Sequence, residues 1–357
     1  MDKLKTLIIA PIYTPYSGGG ANYFPKLATS LTSSRSVTVL TELHRDCKLK
    51  YSSENVEIRR YFPRRDSLYP LNFLNSAVRL ILTFTIIFAY IIYWSLKYYA
   101  KPKTIIITRY YFRPIFYFFY IYKNIFNTRI VIDYRTEVDV HIAKRIKATF
   151  FDITFCNSLS CYQQTQNFRN MRGRKHIYLP NAIELPDGKT HFHTKPGQSY
   201  SIFVGTLSTR KSFDIVVEVQ NKLKQDMQLH PVIVGRPVDY DEEYIKSFFN
   251  EYTYYERLDH NSVLSLLANA SVVLLPSRQE GLPRVAIETL SMHGRIVLPP
   301  CCQEFEGLTL SLNELNVKQV YSWAEQVMNN EVVYDCSIHS WERQFSNYLE
   351  ILDGGTV

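Results

Sequence analysis

Short apolar runs and longer segments of helical length alternate along the chain. Strands are predicted at 5–12, 36–42, 56–62, 104–109, 129–134, 153–157 and 176–180, many rich in β-branched residues and bounded by turn residues or charges. Between them, 21–33, 71–98, 112–124 and 159–170 have the length of helices. Strand and helix alternating at this spacing predict a parallel sheet covered on both faces. The pattern breaks at 184–198, a polar stretch with two prolines and two glycines that reads as a linker. A second series follows, with strands 200–206, 230–235, 252–255, 271–276 and 295–299 and helices 212–224, 241–250, 260–269, 283–293 and 318–329. A last helix, about 339–352, closes it. At 357 residues the chain is too long for one ordinary core and suits two domains.

The segment 80–96 has an uncharged run of 17 residues, short for a membrane-spanning helix. A single crossing there would put strands that must share a sheet on opposite sides of a bilayer. The segment is therefore expected either buried on the sheet or lying in the membrane interface with one face on the sheet. Arg79, Lys97, Lys101 and Lys103 flank it and favour anionic lipid.

Charge sharpens this picture. Residues 1–186 hold 27 of the 41 Lys+Arg and 11 of the 33 Asp+Glu, a net +16, while the remainder is −8. A basic half attracts nucleic acid or an anionic membrane. The same half carries the aromatic run Tyr110–Tyr120, and basic, aromatic and apolar together predict peripheral contact with a membrane and no nucleic acid. Hydrophobic residues at 46% and charged residues at 21% exclude a disordered chain. The six cysteines form no C-x-x-C pair, which predicts a reducing compartment and no structural zinc. Met1–Lys5 runs directly into a strand-like segment with no leader-like stretch, so the expected location is cytoplasmic.

The chemistry concentrates in Leu275-Pro-Ser-Arg-Gln-Glu280-Gly-Leu-Pro-Arg-Val-Ala-Ile-Glu288. A strand ends, a loop turns, and a helix starts near Pro283, whose missing N–H suits a first helical turn. The N–H groups of that turn point into the crevice at the strand ends, where a diphosphate can bind. Glu280 and Glu288 are placed to accept hydrogen bonds from vicinal hydroxyls of a sugar and a ribose. Asp239-Tyr240-Asp241 is a metal-ligand pattern in other transferases, but it sits where a helix opens, and capping explains it. His191 and His193 lie in the linker with no third ligand nearby in sequence.

The paired glutamates after Leu275-Pro-Ser closely resemble the E-x7-E signature of retaining glycosyltransferases of family 4, which have the GT-B fold. Other segments match in order: Ile202–Asp214 resembles the "VGRL…KG.D" stretch that opens the donor domain, and Val232–Gly235 the following strand and turn. Tyr178–Ile183 resembles the "iPNGid" that ends the acceptor domain, and Ser340-Trp341-Glu342 the "sWe" of the final helix. Pro11–Asn22 resembles a glycine-rich acceptor-side loop carrying Gly18, Gly19 and Gly20. The resemblance covers nearly the whole chain, specific over 200–295 and loose over 44–175.

It implies an α/β GT-B fold, two Rossmann-like domains facing each other across a cleft, with a C-terminal helix returning to the N-terminal domain. The acceptor domain is then 1–184 with 339–357, and the donor domain 185–338. The implied reaction moves a sugar, with retention and no metal, from a UDP- or GDP-linked donor to a glycan or lipid-linked acceptor at the cytoplasmic membrane face. No cofactor is implied, the nucleotide sugar being a substrate. The implied catalytic set is Glu280 on the transferred sugar, Lys211 on the diphosphate and Arg135, which stands near the position of a family histidine. Glu288 on the ribose, Gly281, Leu282, Pro283, Arg210, Gly205, Thr206, Gly235, Arg257 and Leu258 complete the donor site.

The chain also departs from the family pattern. Thr206 stands where an arginine is usual, so Arg210 is the candidate replacement; Ser212 and Ala182 each replace a glycine. Glu256 takes a glycine's place in the base-recognising loop, and Cys301-Cys302 replaces a Gly-Gly turn. Thr206 and Ser212 keep open a non-catalytic nucleotide-binding partner, and a GT-B sugar-nucleotide 2-epimerase is a further alternative. A nicotinamide-dependent oxidoreductase fits less well, because Gly18-Gly-Gly20 is not G-x-G-x-x-G and Glu280…Glu288 would be unexplained.

Overall fold

The computed structural model describes residues 3–10, 13, 19–42, 47–62, 85–86, 88–93, 103–108, 113–135, 148–168, 174–184, 199–299, 301–305, 308, 315–330 and 334–354. The chain divides into two compact units. One comprises Met1–Asn157, Cys161–Leu179 and Phe345–Val357; the other comprises Ser158–Ser160 and Pro180–Gln344.

The first unit is built on strands β1 (Leu4–Ile9), β2 (Arg35–Glu42), β3 (Lys50–Ser53), β4 (Val56–Phe62), β5 (Thr104–Ile107), β6 (Arg129–Tyr134), β7 (Ile153–Cys156) and β8 (Lys175–Tyr178). They lie in the order β3-β4-β2-β1-β5-β6-β7-β8, parallel throughout except for the β3–β4 pair. Thr104–Ile107 is buried at every position, as a parallel strand covered on both faces must be. β3 was not expected from sequence. It pairs back on β4 through a two-residue turn, Glu54 and Asn55, with φ of 50° and 64°, the left-handed pair that matches strand twist. The helices α1 (Gly19–Leu31), α2 (Arg113–Phe126) and α3 (Leu159–Thr165) accompany this sheet. Of the helix expected over 71–98, residues 85–86 and 88–93 are described and helical, and the rest lies outside the described residues. Tyr90 and Ile91 pack into the core, whereas Phe88 and Tyr93 are exposed. Among the described residues no helix is long and apolar enough to cross a membrane.

The second unit has strands β9 (Tyr200–Val204), β10 (His230–Val234), β11 (Thr253–Tyr255), β12 (Val272–Leu274) and β13 (Ile296–Val297), all parallel, in the order β11-β10-β9-β12-β13. Side chains alternate between its faces. Phe203, Ile233 and Leu274 join α4 (Phe213–Met227) and α8 (Val317–Asn329) in one apolar cluster. Ile202, Val232 and Val273 join α6 (His260–Asn269) and α7 (Arg284–Ser291) in another. α5 (Glu242–Lys246) is shorter than the helix expected over 241–250. α9 (Trp341–Asp353) starts in this unit, and from Phe345 onward its residues belong to the first. The strand order reverses between β9 and β12, a topological switch point where parallel sheets of this kind open a crevice for ligands.

Candidate functional site

Two loops leave the second sheet at that switch point, and the expected donor residues sit on them. After β9 the chain passes Gly205 and Thr206 into a 3-10 turn, Thr209–Lys211. Gly235, at the end of β10, allows the approach: a Cβ there would stand 1.6 Å from the Gly205 carbonyl oxygen. The Leu207 N–H donates to Arg236 O at 2.9 Å, and the Thr209 N–H to Asp239 Oδ2 at 2.8 Å. Asp239 thus anchors the turn, and Asp241 caps α5 by accepting from Tyr244 N at 3.0 Å. Ser212 follows in the left-handed region, at φ 54°, which accounts for the glycine usual at that place.

The second loop, Leu275–Pro283, is tied to the first by charge. Lys211 Nζ donates to the Glu280 carboxylate, Ser277 Oγ donates to Glu280 Oε1 at 2.9 Å, and Arg210 Nη1 lies 3.7 Å from Glu280 Oε2. Arg278 grips Asp214 at the start of α4 with both guanidinium nitrogens, at 2.8 and 2.7 Å, and also donates to Thr209 O at 2.7 Å. That fork holds the Asp214 carboxyl below the usual carboxylate range. The Glu280 side chain is 8% exposed, so its charge is well sheltered from solvent. Cys301 Sγ reaches to 4.0 Å from Ser277 O, at the edge of the same loop.

Gly281 and Leu282 lead into α7. Pro283 stands at the N-cap rather than inside the first turn, and no side chain caps the helix. Its first N–H groups are therefore available to an anion, with the helix dipole behind them. Asn181 Nδ2 holds the Leu282 carbonyl at 2.6 Å. The Asn181 carbonyl in turn accepts from His339 Nδ1 at 3.0 Å, so Nε2 accepts from Tyr334 Oη at 3.0 Å. Burial lowers the His339 pKa to about 4, and the ring is neutral. Glu288 is buried within α7, with Arg284 Nη2 at 3.5 Å one turn back. Beyond β11, Arg257 is exposed and Leu258 half-buried.

Arg135 belongs to the first unit, just after β6. Its Nε approaches Asp133 Oδ1 at 2.7 Å, its Nη2 donates to Tyr23 Oη, its Nη1 donates to Leu179 O at 3.3 Å, and its guanidinium carbon lies over the Tyr23 ring, 3.8 Å from the ring centre. Burial pushes the Asp133 carboxyl up, and Arg135 opposes the shift. Gly19 and Gly20 open α1; Gly18, His141, His191 and His193 lie outside the described residues. Among the described residues no group of three or more His, Cys, Asp and Glu side chains is arranged so that it could hold a metal ion.

The sequence reading thus named Lys211, Arg210, Gly205, Thr206, Gly281, Leu282, Pro283, Glu280 and Glu288, which the fold gathers on two loops and one helix of the second unit, and Gly235, which stands against Gly205 at the end of β10. It did not name Ser277, the Arg278–Asp214 fork, Asn181 as a loop support, or His339. Ser277 has a local signal, three residues before Glu280 in a turn. The fork joins residues 64 apart and has none.

Residues 189–299 match the family described as glycosyl transferases group 1. No curated protein sequence matches the chain. Solved structures resemble it from end to end. Sucrose-phosphate synthase from Thermosynechococcus elongatus has a TM-score of 0.70 at 14% identity, over 98% of both chains. Anabaena HepE, solved with UDP and glucose, gives 0.65 at 12%, covering 98% of this chain and 99% of its own. The UDP-forming α,α-trehalose-phosphate synthase from Burkholderia xenovorans, solved with glucose-6-phosphate, gives 0.67 at 12%, covering 98% and 100%. At these identities the likeness is one of fold. The chain has the α/β fold of GT-B glycosyltransferases, and the stretch carrying Lys211, Glu280 and Glu288 matches the group 1 glycosyl transferases.

Proposed function

We propose that the chain is a retaining, metal-independent glycosyltransferase that moves a sugar from a nucleoside-diphosphate sugar to a glycan or lipid-linked acceptor at the inner face of the cell membrane. One observation carries the reading: Lys211 and Glu280 meet at the β9/β12 switch point beside the uncapped start of α7, with Glu288 buried along the same helix. In this reading the α7 N–H groups, Lys211 and Arg210 hold the diphosphate. They stabilise the charge that grows on it as the glycosidic bond breaks. That set of cations and dipoles supplies the compensation a divalent ion gives in other transferases. Glu288 accepts the ribose hydroxyls, and Glu280, already aimed by Ser277 and Lys211, faces the transferred sugar. The likeness to HepE, solved with UDP and glucose, and to a UDP-forming trehalose-phosphate synthase supports a uridine donor. The basic, aromatic first half supports an acceptor presented at an anionic membrane.

The test is calorimetry with UDP, GDP, ADP, CMP and NAD(H) without added metal, followed by NMR of the transferred sugar's anomeric centre. Binding of one nucleoside diphosphate and a product that keeps the donor's anomeric configuration are expected. Binding of NAD(H) alone, or an inverted product, refutes the reading.

A further inference from the structure

α2 has apolar side chains on both its inner and its outer face. Phe116, Phe119 and Tyr122 are buried against the first sheet and its neighbours. On the opposite side Tyr117 is 50% exposed, Tyr120 40%, Ile121 56% and Ile125 66%. The spacing of 117, 120, 121 and 125 is one stripe of a helix. Asn124, the polar residue among them, turns its amide back onto Tyr120 O at 2.6 Å. Lys123, the basic residue of the last turn, points inward to Asp152 Oδ1 at 2.9 Å. Exposed Phe88 packs at a tilt against Phe118 with ring centres 4.6 Å apart, so residues 88–93 extend the apolar surface beside α2. An apolar surface of this kind on a folded chain marks a place that something covers.

The charge of the sequence that carries this surface indicates what covers it. Between Asp66 and Asp133 the sequence has eight Lys or Arg residues and no carboxylate side chain. Two of the eight, Lys123 and Arg129, are turned inward onto Asp152 and Leu352 O; a protein partner for an apolar stripe does not require a run of the other six, whereas an anionic lipid surface attracts them. Tyrosine on the stripe is the aromatic residue suited to the headgroup boundary, apolar in its ring and polar at its tip. α2 has 14 residues, about 21 Å at 1.5 Å per residue, too short to cross a bilayer but suited to lying in its plane.

We propose that the outer face of α2, with Phe88 and Tyr93, is the surface by which this chain docks on an anionic lipid bilayer. The docking rests on the membrane-side acceptor of the proposed function for its purpose, but its physics is independent of the donor site.

The full-length chain, without nucleotide, is sedimented with vesicles of phosphatidylcholine alone or with about one third phosphatidylglycerol. The wild type is expected to partition at least about tenfold more strongly onto the anionic vesicles, and to be released by high salt. Ile121→Ser with Ile125→Ser is expected to cut partitioning by about tenfold or more, with unchanged thermal unfolding and nucleotide affinity. Val238→Ser, on an exposed apolar residue of the second unit, should change nothing. A wild type that stays in the supernatant, or a double variant that binds as the wild type does, overturns the proposal. So does a wild-type dimer in sedimentation that the double variant loses, because the face then belongs to a second copy. Vesicle binding without nucleotide binding would refute the proposed function alone, and the reverse would refute only the docking surface.

Discussion

Replacing Lys211 by methionine keeps the length of the side chain and removes its charge. The Glu280 carboxylate then loses its closest cation, keeping Ser277 Oγ at 2.9 Å and Arg210 at 3.7 Å. Breaking one side of a buried pair costs roughly 3–5 kcal/mol, and the two remaining partners place this case near 3 or below. Stability alone would give that result whatever the loop does, so the informative measurements are others. If Lys211 offsets charge building on a leaving diphosphate, kcat should fall by about 10²- to 10³-fold, or about 2.7–4 kcal/mol. The affinity for free nucleoside diphosphate should fall by about 1.5–3 kcal/mol, roughly 10- to 150-fold. The double variant Lys211→Met, Glu280→Gln separates the two effects. It no longer buries an unmatched carboxylate, so most of the lost thermal stability should return while kcat stays low. Unfolding is followed by circular dichroism, affinity by calorimetry and turnover by release of the nucleotide. A Lys211→Met protein with kcat within about threefold of wild type, or a double variant that regains turnover along with stability, would refute this account of the loop.

Glu288→Ala removes the carboxylate that reaches for ribose and should weaken nucleoside-diphosphate binding by about 10- to 150-fold in calorimetry; unchanged affinity would displace the nucleotide from α7. Ser212→Gly relieves a left-handed residue and deletes a buried hydroxyl with no hydrogen-bond partner, so the melting temperature should rise, by about 1 kcal/mol of stability after glycine's entropy is set against it. Arg278→Lys loses the fork onto Asp214; both side chains are partly exposed, so stability should drop by less than about 1 kcal/mol while KM for the donor rises more than kcat falls, as expected for a residue that positions the loop. His339 has its folded pKa near 4, below the ordinary 6.5, so between those values the unfolded chain binds a proton that the folded chain refuses. Stability should therefore decline as pH falls from about 6.5 towards 4, by up to about 3 kcal/mol from this group, and His339→Gln should flatten that slope in urea titrations.

The legible parts of the chain were those whose information is local. β9 and β10 are apolar runs that stop at a glycine and β12 one that stops at a proline, and the E-x7-E spacing marks α7 within a single short segment. β3 was not legible because Lys50-Tyr-Ser-Ser53 carries no strand signal. It forms only by pairing with β4, through a turn whose left-handed residues are Glu and Asn rather than glycine. The Arg278–Asp214 fork and the Asn181–Leu282 bond were hidden for a related reason. Each joins residues far apart in sequence, and no periodicity of one segment encodes a contact with another.

Those hidden contacts explain how a loop can present charges without collapsing around them. Lys211 and Glu280 alone would form an ordinary ion pair, free to close on itself and leave nothing for a ligand. Here Arg278 fixes the start of α4 against Thr209 O, and its N–H holds Arg210 O at 2.9 Å, so the backbone of one loop is pinned to the other. Asn181, held by His339, fixes the last carbonyl before Pro283. The turn that feeds α7 is thereby tied down by Arg278, Asn181 and His339, which carry none of the proposed ligand contacts. Electrostatic stabilisation is effective when the dipoles and charges are already in place, because no reorganisation is then needed as charge develops. The first unit's buried ion pair is arranged differently. Arg135 is engaged by Asp133, Tyr23 and Leu179 O at once. A buried pair of this kind adds little net stability over apolar packing. Its effect here is positional: it fixes α1, the end of β6 and the segment after β8 to one another, at the place where Gly19 and Gly20 open α1.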